Sequence, residues 1–304
     1  MRELTRAVDL FSGFGGMTLG AAQAGVHVVW AANHWRVAVD THAKNHPDTE
    51  HVCQDLRQAD WTQLPSYDIL LAGPSCQGHS SASQPKRRRY HNAMRATAWS
   101  VVDCADMTSP RVIVVENVPA FRRWRLYPTW KRALTELGYK LTEGLVCASY
   151  LGVPQRRTRI IIVATRVKAA DLSTQVVEEP PFSTCIEDDA PGWKRIKDCA
   201  YPGARARMRS VAKKLGRGLV HHVTDCPMGS LDEPIRTITT KDQWGLVDGK
   251  NYRPLTLREY ARGMGFPDAY EWSTKTRTET VKGLGNAIPP AMAQHAIERA
   301  LEAA

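Results

Sequence analysis

Residues 7–20 read AVDLFSGFGGMTLG. A short β-favouring run, Ala7 to Phe11, leads straight into a turn holding Gly13, Gly15 and Gly16. From Met17 to Ala24 the spacing becomes that of a helix, which Gly25 ends. Strand, glycine turn and helix in that order open a βαβ unit and predict an α/β fold. Glycine tolerates positive φ and lets a ligand come close to the backbone, and a helix N-terminus offers free N–H groups and a positive dipole end. The turn is therefore a candidate site for a carboxylate or a phosphate. It does not meet the dinucleotide fingerprint, because the spacing is not GxGxxG and the second strand ends in Asn33-His34 rather than an acid.

The alternation continues outward from this unit. Val26 to Ala32 reads as a strand, and Trp35 to Asn45 as a helix closed by His46-Pro47. Tyr67 to Ala72 is a strand, Arg95 to Met107 a helix, Val112 to Val115 a buried strand, and Tyr127 to Leu137 a helix stopped by Gly138. Leu145 to Ser149 and Ile160 to Ala164 are further strands. Such a chain builds a mostly parallel, Rossmann-like sheet with helices on both faces, and its ligands bind at the carboxyl ends of the strands. After Arg166 the pattern dissolves into acidic "EEPP", basic "RARMRSVAKKLGR" and short β-like pieces such as "IRTITT". This predicts a smaller second domain over 168–274, with the larger domain formed by 1–167 and completed by 275–304.

The 304 residues are enough for these two units, and 43% apolar content can build their cores. The net charge of +10 points to a polyanionic partner, nucleic acid above all. No apolar run reaches membrane-spanning length, and the N-terminus lacks a signal peptide's apolar core. Seven cysteines without a CxxC pair fit reduced thiols in a cytoplasmic compartment. Cys185, Cys199, His221, His222 and Cys226 match no familiar zinc spacing, so no metal is expected.

Cys76 is different from the other cysteines. Cys104 and Cys147 sit within apolar helix or strand patterns, as packed thiols do. Cys76 stands in "GPSCQGHS", turn chemistry just past the strand Tyr67–Ala72, where a ligand-binding edge is expected. Ten residues on lies the basic run Lys86, Arg87, Arg88 and Arg89, suited to phosphates.

"DLFSGFGG", "GPSCQGHS", "VVENVPAF", "GVPQRRTR", "REYARGMGFPDAY" and "GLGNAIPPAMA" follow one another from Asp9 to Ala293. In that order they resemble the DNA (cytosine-5)-methyltransferases. The resemblance implies that Cys76 attacks carbon 6 of a flipped-out cytosine in a specific double-stranded DNA sequence. Glu116 would act on ring nitrogen 3, and Arg159 on the carbonyl oxygen. A carboxyl in a partly apolar pocket favours its neutral, donating form, and arginine is a donor that keeps its charge beside a developing anion. Arg157 alternates with Arg159 on one face and is assigned to DNA or to supporting the site; Gln155 belongs to the surroundings of the site.

By the same resemblance S-adenosyl-L-methionine is the cofactor and S-adenosyl-L-homocysteine its product. Phe11, Gly13, Gly15 and Gly16 would hold its methionine end, Trp35 its adenine face, Asp55 the adenine amino group, and Asn286 would close the pocket. His34 takes the place of an acid that binds the ribose hydroxyls, so a neutral acceptor replaces a carboxylate there. His79, Ser75 and Ala287 also depart from the family pattern, none at a catalytic position. Arg205 and Arg207 lead a basic cluster with Arg209, Lys213, Lys214 and Arg217 that is expected on the DNA backbone. The expected protein is a monomer of bacterial or phage origin, and a companion restriction endonuclease is left open. The alternatives are cytosine-5 methylation of RNA, transfer of another alkyl group by the same chemistry, and a silent DNA-binding regulator.

Overall fold

A computed structural model describes residues 5–75, 97–175, 177–221 and 228–304. The larger sheet is built from β1 (Arg6–Leu10), β2 (His27–Asn33), β3 (Glu50–Cys53), β4 (Ile69–Ala72), β5 (Val112–Asn117), β6 (Lys140–Cys147) and β8 (Thr158–Thr165), with the short β7 (Gln155–Arg156) just before β8. Its strand order is β3-β2-β1-β4-β5-β8-β6. The strands from β3 to β5 run parallel, and β8 is antiparallel to both its neighbours. This is the α/β architecture expected, with two additions. β3, sequence EHVC, lacks an apolar run and escapes a hydropathy reading. β6 begins at Lys140, five residues before its apolar stretch, because Glu143 and Gly144 pair with Ile162 and Ile161 as regular ladder members.

Alternate side chains of each central strand enter opposite cores, as a period of two requires. Ala7, Ile69, Leu71, Val112 and Val114 pack on one face with α1 (Gly16–Gln23) and the C-terminal helix. Val8, Leu70, Ile113 and Val115 pack on the other against α3 (Trp99–Thr108) and α4 (Tyr127–Glu136). Between α1 and α3 in the chain lies α2 (Arg36–Asn45).

The smaller sheet has the order β10-β12-β13-β9, from β9 (Lys194–Arg195), β10 (Arg217–His221), β12 (Trp244–Asp248) and β13 (Asn251–Pro254). α5 (Pro202–Leu215) packs on it through Met208 and Val211. A second cluster on this side joins Phe182, Leu246 and Tyr260 to Val281, Leu284 and Ala287, and so engages α6 (Leu257–Gly263) and α7 (Arg277–Asn286). Within it the Arg253 guanidinium and the Glu259 carboxylate pair at 2.6 Å, both fully buried. The strand β11 (Ile235–Arg236) pairs with β7, and α8 (Pro290–Leu301) returns to the larger domain against α1. No helix of the described residues is long and apolar enough to cross a membrane.

Candidate active site

The parallel strands end together, and the residues just past their carboxyl ends line one cleft of about 910 Å3, counted to its open mouth. β1 delivers Phe11, Gly13 and Phe14; β2 delivers Asn33, His34 and Trp35; β4 delivers Gly73, Pro74 and Ser75. Glu116 and Val118 come from β5, Arg157 and Arg159 from the start of β8, and Lys282, Gly283, Gly285 and Asn286 from α7. The site thus draws on segments up to 275 residues apart, from Phe11 to Asn286.

Glu116 and Arg159 meet because of strand register. Glu116 lies opposite Ile161 on β8, and Arg159, two residues earlier, shares its face. Arg159 Nε stands 2.9 Å from Glu116 Oε1, and both side chains are nearly buried. Burial raises the Glu116 pKa, and the neighbouring Arg159 and Arg157 charges partly offset it. Asn117 locks the adjacent loop: its Nδ2 donates to the Pro74 carbonyl at 3.0 Å, and its Oδ1 accepts from Val118 N at 2.9 Å. Ser75 N donates to Thr97 Oγ1 at 3.2 Å. The strand end before Cys76 is therefore tied to the strand end that carries Glu116. Cys76 itself lies outside the described residues, as do Lys86, Arg87, Arg88 and Arg89.

A smaller chamber opens off the cleft, lined by Asp9, Phe11, Gly13, Gly16, Glu116 and Asn286 among others. Phe11 holds φ of 65°, unusual for a non-glycine residue and found here at the cleft wall. Gly16 has no room for a side chain, since a Cβ would sit 2.0 Å from the Ile288 carbonyl oxygen. Gly15 lines neither space; its φ of 82° and the Tyr270 hydroxyl 2.4 Å from any Cβ explain the glycine. Beneath the turn, Thr18 Oγ1 donates to Asp9 Oδ2 at 2.7 Å and meets His42 Nε2 at 2.9 Å, while His42 Nδ1 meets His51 Nε2 at 2.7 Å. Tyr270 donates to the Phe14 carbonyl at 2.6 Å and lies 3.0 Å from His46 Nε2. Burial pushes Asp9 up to about 7 and His46 down to about 4, and holds His42 well below the usual imidazole range.

On the other side of the cleft, Trp35 stacks on Phe14 with ring centroids 5.7 Å apart, and the Lys282 ammonium lies 4.5 Å from the Trp35 ring centre. Asn33 Oδ1 accepts from Trp35 N at 2.9 Å and so sets the start of α2. His34 lines the same wall. Asp55 does not line the cleft: Arg57 Nη2 holds its carboxylate at 2.5 Å and lowers its pKa to about 2.

One expectation for a basic residue needs correction. Arg157, assigned to DNA, is buried, with Nη1 donating to the Ile238 carbonyl at 2.9 Å and Nη2 to those of Gly285 and Ala287 at 2.8 Å. It bolts the strand start to both C-terminal segments, and its donors are turned inward. Gln155 is likewise buried, donating to the Gly263 carbonyl at 2.9 Å and accepting from Ile238 N at 2.8 Å. On α5, Arg205 and Arg207 flank the buried face and are only half-exposed, whereas Arg209, Lys213 and Lys214 face solvent. The sequence reading gave no role to Phe14, Asn117 and Lys282, although all three stand within or beside its motifs. Their partners lie far along the chain, so no local signal marks them.

A family model of the C-5 cytosine-specific DNA methylases matches residues 5–200 and 193–302. The type II methyltransferase M.Eco47II of Escherichia coli is 30% identical over 93% of this chain and 75% of its own length. M.NlaX of Neisseria lactamica is 29% identical over 88% of this chain and 87% of its own length. Among solved structures, a DNA modification methyltransferase encoded within an E. coli prophage superposes with a TM-score of 0.74 at 20% identity, covering 98% of this chain and 99% of that one. The Dnmt2 methyltransferase of S. pombe gives 0.71 at 21% identity, covering 98% of each chain. The fold and the strand-end cleft thus define a methyltransferase of the α/β class. This chain belongs to the C-5 cytosine-specific DNA methylase family and is a DNA cytosine-5 methyltransferase.

Proposed function

We propose that this enzyme methylates carbon 5 of cytosine within a specific double-stranded DNA sequence, acting on a flipped-out base through a covalent bond to Cys76. The observation that carries the reading is the Glu116–Arg159 pair at the end of β5, in one cleft with the loop that leads to Cys76. Ring carbons 5 and 6 are stacked inside a duplex, so the base must leave the helix to reach this cleft. The Cys76 sulfur bonds to carbon 6. Glu116, whose neutral form burial favours, donates to ring nitrogen 3, and Arg159 donates to the carbonyl oxygen. Carbon 5 becomes nucleophilic and gains the methyl group; its proton then passes to solvent, the electrons of that C–H bond re-form the carbon 5–carbon 6 double bond as the thiolate leaves, and the nitrogen-3 proton returns to Glu116.

The cleft suits S-adenosyl-methionine. It joins a stacked aromatic wall to a chamber lined by the glycine turn, in which the buried acid Asp9 has no hydrogen-bond partner for Oδ1 among the described residues. When bound, the cofactor supplies an electrophilic methyl group. Trp35, backed by Phe14, would pack on its adenine, His34 would face its ribose, and Phe11, Gly13, Gly16 and Asn286 its amino-acid end. Residues 168–274 are the proposed target-recognition domain, with Arg209, Lys213 and Lys214 of α5 facing the backbone. Purified protein with labelled S-adenosyl-methionine and DNA, followed by bisulfite sequencing, tests the reaction. Label at carbon 5 of cytosine in one recurring sequence is expected. It should vanish in Cys76→Ser, which should still bind the cofactor by calorimetry; full turnover by that variant overturns the covalent mechanism.

A further inference from the structure

We infer that Arg123 and Arg125, on the turn that follows the Glu116 strand end, form a DNA-backbone contact surface on the larger domain, distinct from that proposed on α5. The inference rests on the proposal that the protein binds duplex DNA. These arginines stand in "FRRWRLY", residues 121–127, a stretch that no catalytic or cofactor role absorbs.

The turn is rigid and set beside the cleft. Val118 lines the cleft and caps a 3-10 turn over Pro119–Arg123. Trp124 then points inward: it is buried, stacked on Phe121 at 5.7 Å and edge-on to Trp99 at 6.2 Å. Trp124 is extended, with φ of −66° and ψ of 126°, so its neighbours on either side face the opposite way. Arg123 and Arg125 are accordingly exposed. With the backbone held by aromatic packing, only side-chain entropy remains to be lost on binding a phosphate.

Charge distinguishes these two from the arginines around them. Arg122, next in the chain, is 3.3 Å from the Glu143 carboxylate, and Arg132 on α4 is 3.3 Å from Glu136. Arg123 and Arg125 make no ion pair or hydrogen bond among the described residues. An arginine already paired with a carboxylate presents little net field to a polyanion, whereas two unpaired ones keep theirs. Five residues of 3-10 turn at about 2 Å each place Arg123 on the order of 10 Å from Val118. That is about three base steps at 3.4 Å of rise from a base held in the cleft. A contact there positions the duplex and carries no sequence information.

The test is fluorescence anisotropy of a labelled random-sequence duplex, titrated with wild type, with the double variant Arg123→Gln/Arg125→Gln, and with Arg132→Gln as the paired-arginine control. Each lost phosphate contact should reduce the slope of log affinity against log salt by about 0.9, so the double variant should lose about 1.8. At 0.1 M salt that amounts to about 60-fold weaker binding, shrinking toward nothing at 1 M. Arg132→Gln should match wild type, and the melting temperature and cofactor affinity should be unchanged in all three. A normal wild-type slope with an unchanged slope in the double variant overturns the assignment of Arg123 and Arg125. A wild type that fails to bind the duplex in a salt-dependent way overturns the DNA reading beneath it.

Discussion

Arg157→Met separates a bolt from a DNA contact. Arg157 is buried and its two terminal nitrogens make three hydrogen bonds of 2.8–2.9 Å to the carbonyls of Ile238, Gly285 and Ala287. A hydrogen bond from a charged donor contributes about 1.5–3 kcal/mol, and a buried carbonyl left without a donor costs about 1–3 kcal/mol. Methionine fills part of the volume and satisfies none of the three acceptors. Taking the low end for each bond gives a loss of about 4–5 kcal/mol, a large share of the roughly 5–15 kcal/mol that holds a folded chain. In urea, with a slope near 3 kcal/mol per M, the unfolding midpoint should fall by about 1.5 M. The readout that decides is paired. Stability should drop by this amount, while the salt slope for duplex binding, measured where the variant is still folded, should match wild type. A variant as stable as wild type whose salt slope is lower by about 0.9 would refute the reasoning, because it would mean that the guanidinium reaches a phosphate.

Two further outcomes follow from the cofactor side of the cleft. The lowered pKa values of His42 and His46 mean that the unfolded chain takes up protons at 6.5 while the folded chain resists them, His46 down to about 4. Their stabilising contribution is present above pH 6.5 and falls by about 1.4 kcal/mol per pH unit per histidine as the pH drops below it. Asp9, raised to about 7, acts in the opposite sense, stabilising most below 3.8 and losing that contribution as the pH rises through 7. Two histidines outweigh one acid, so denaturant melts from pH 7 to 5 should show declining stability in wild type and a flatter profile in His42→Asn; equal profiles would count against it. His34→Glu should tighten S-adenosyl-methionine binding, since a carboxylate accepts from both ribose hydroxyls through charge-assisted bonds about twice as strong as neutral ones. Calorimetry at neutral pH measures this directly, and weaker binding by the variant would show that His34 does something other than face the ribose.

What the sequence determined by itself is local or repetitive. Strand–turn–helix alternation is written in hydropathy with periods of 2 and 3.6, so the sheet, the glycine turn at Gly13–Gly16 and the placement of Glu116 at a strand end were legible from residues a few positions apart. β3 was not, because a short polar edge strand is specified by its hydrogen-bonding neighbour β2 rather than by its own side chains. The role of Arg157 was decided by tertiary structure alone. Arg157 and Arg159 are two positions apart and look alike in sequence, yet Arg159 meets Glu116 while Arg157 meets three carbonyls from segments 81 to 130 residues away. The physical reason is that a long charged side chain goes to whichever acceptors the packed chain brings within hydrogen-bond range, and sequence spacing does not encode that distance.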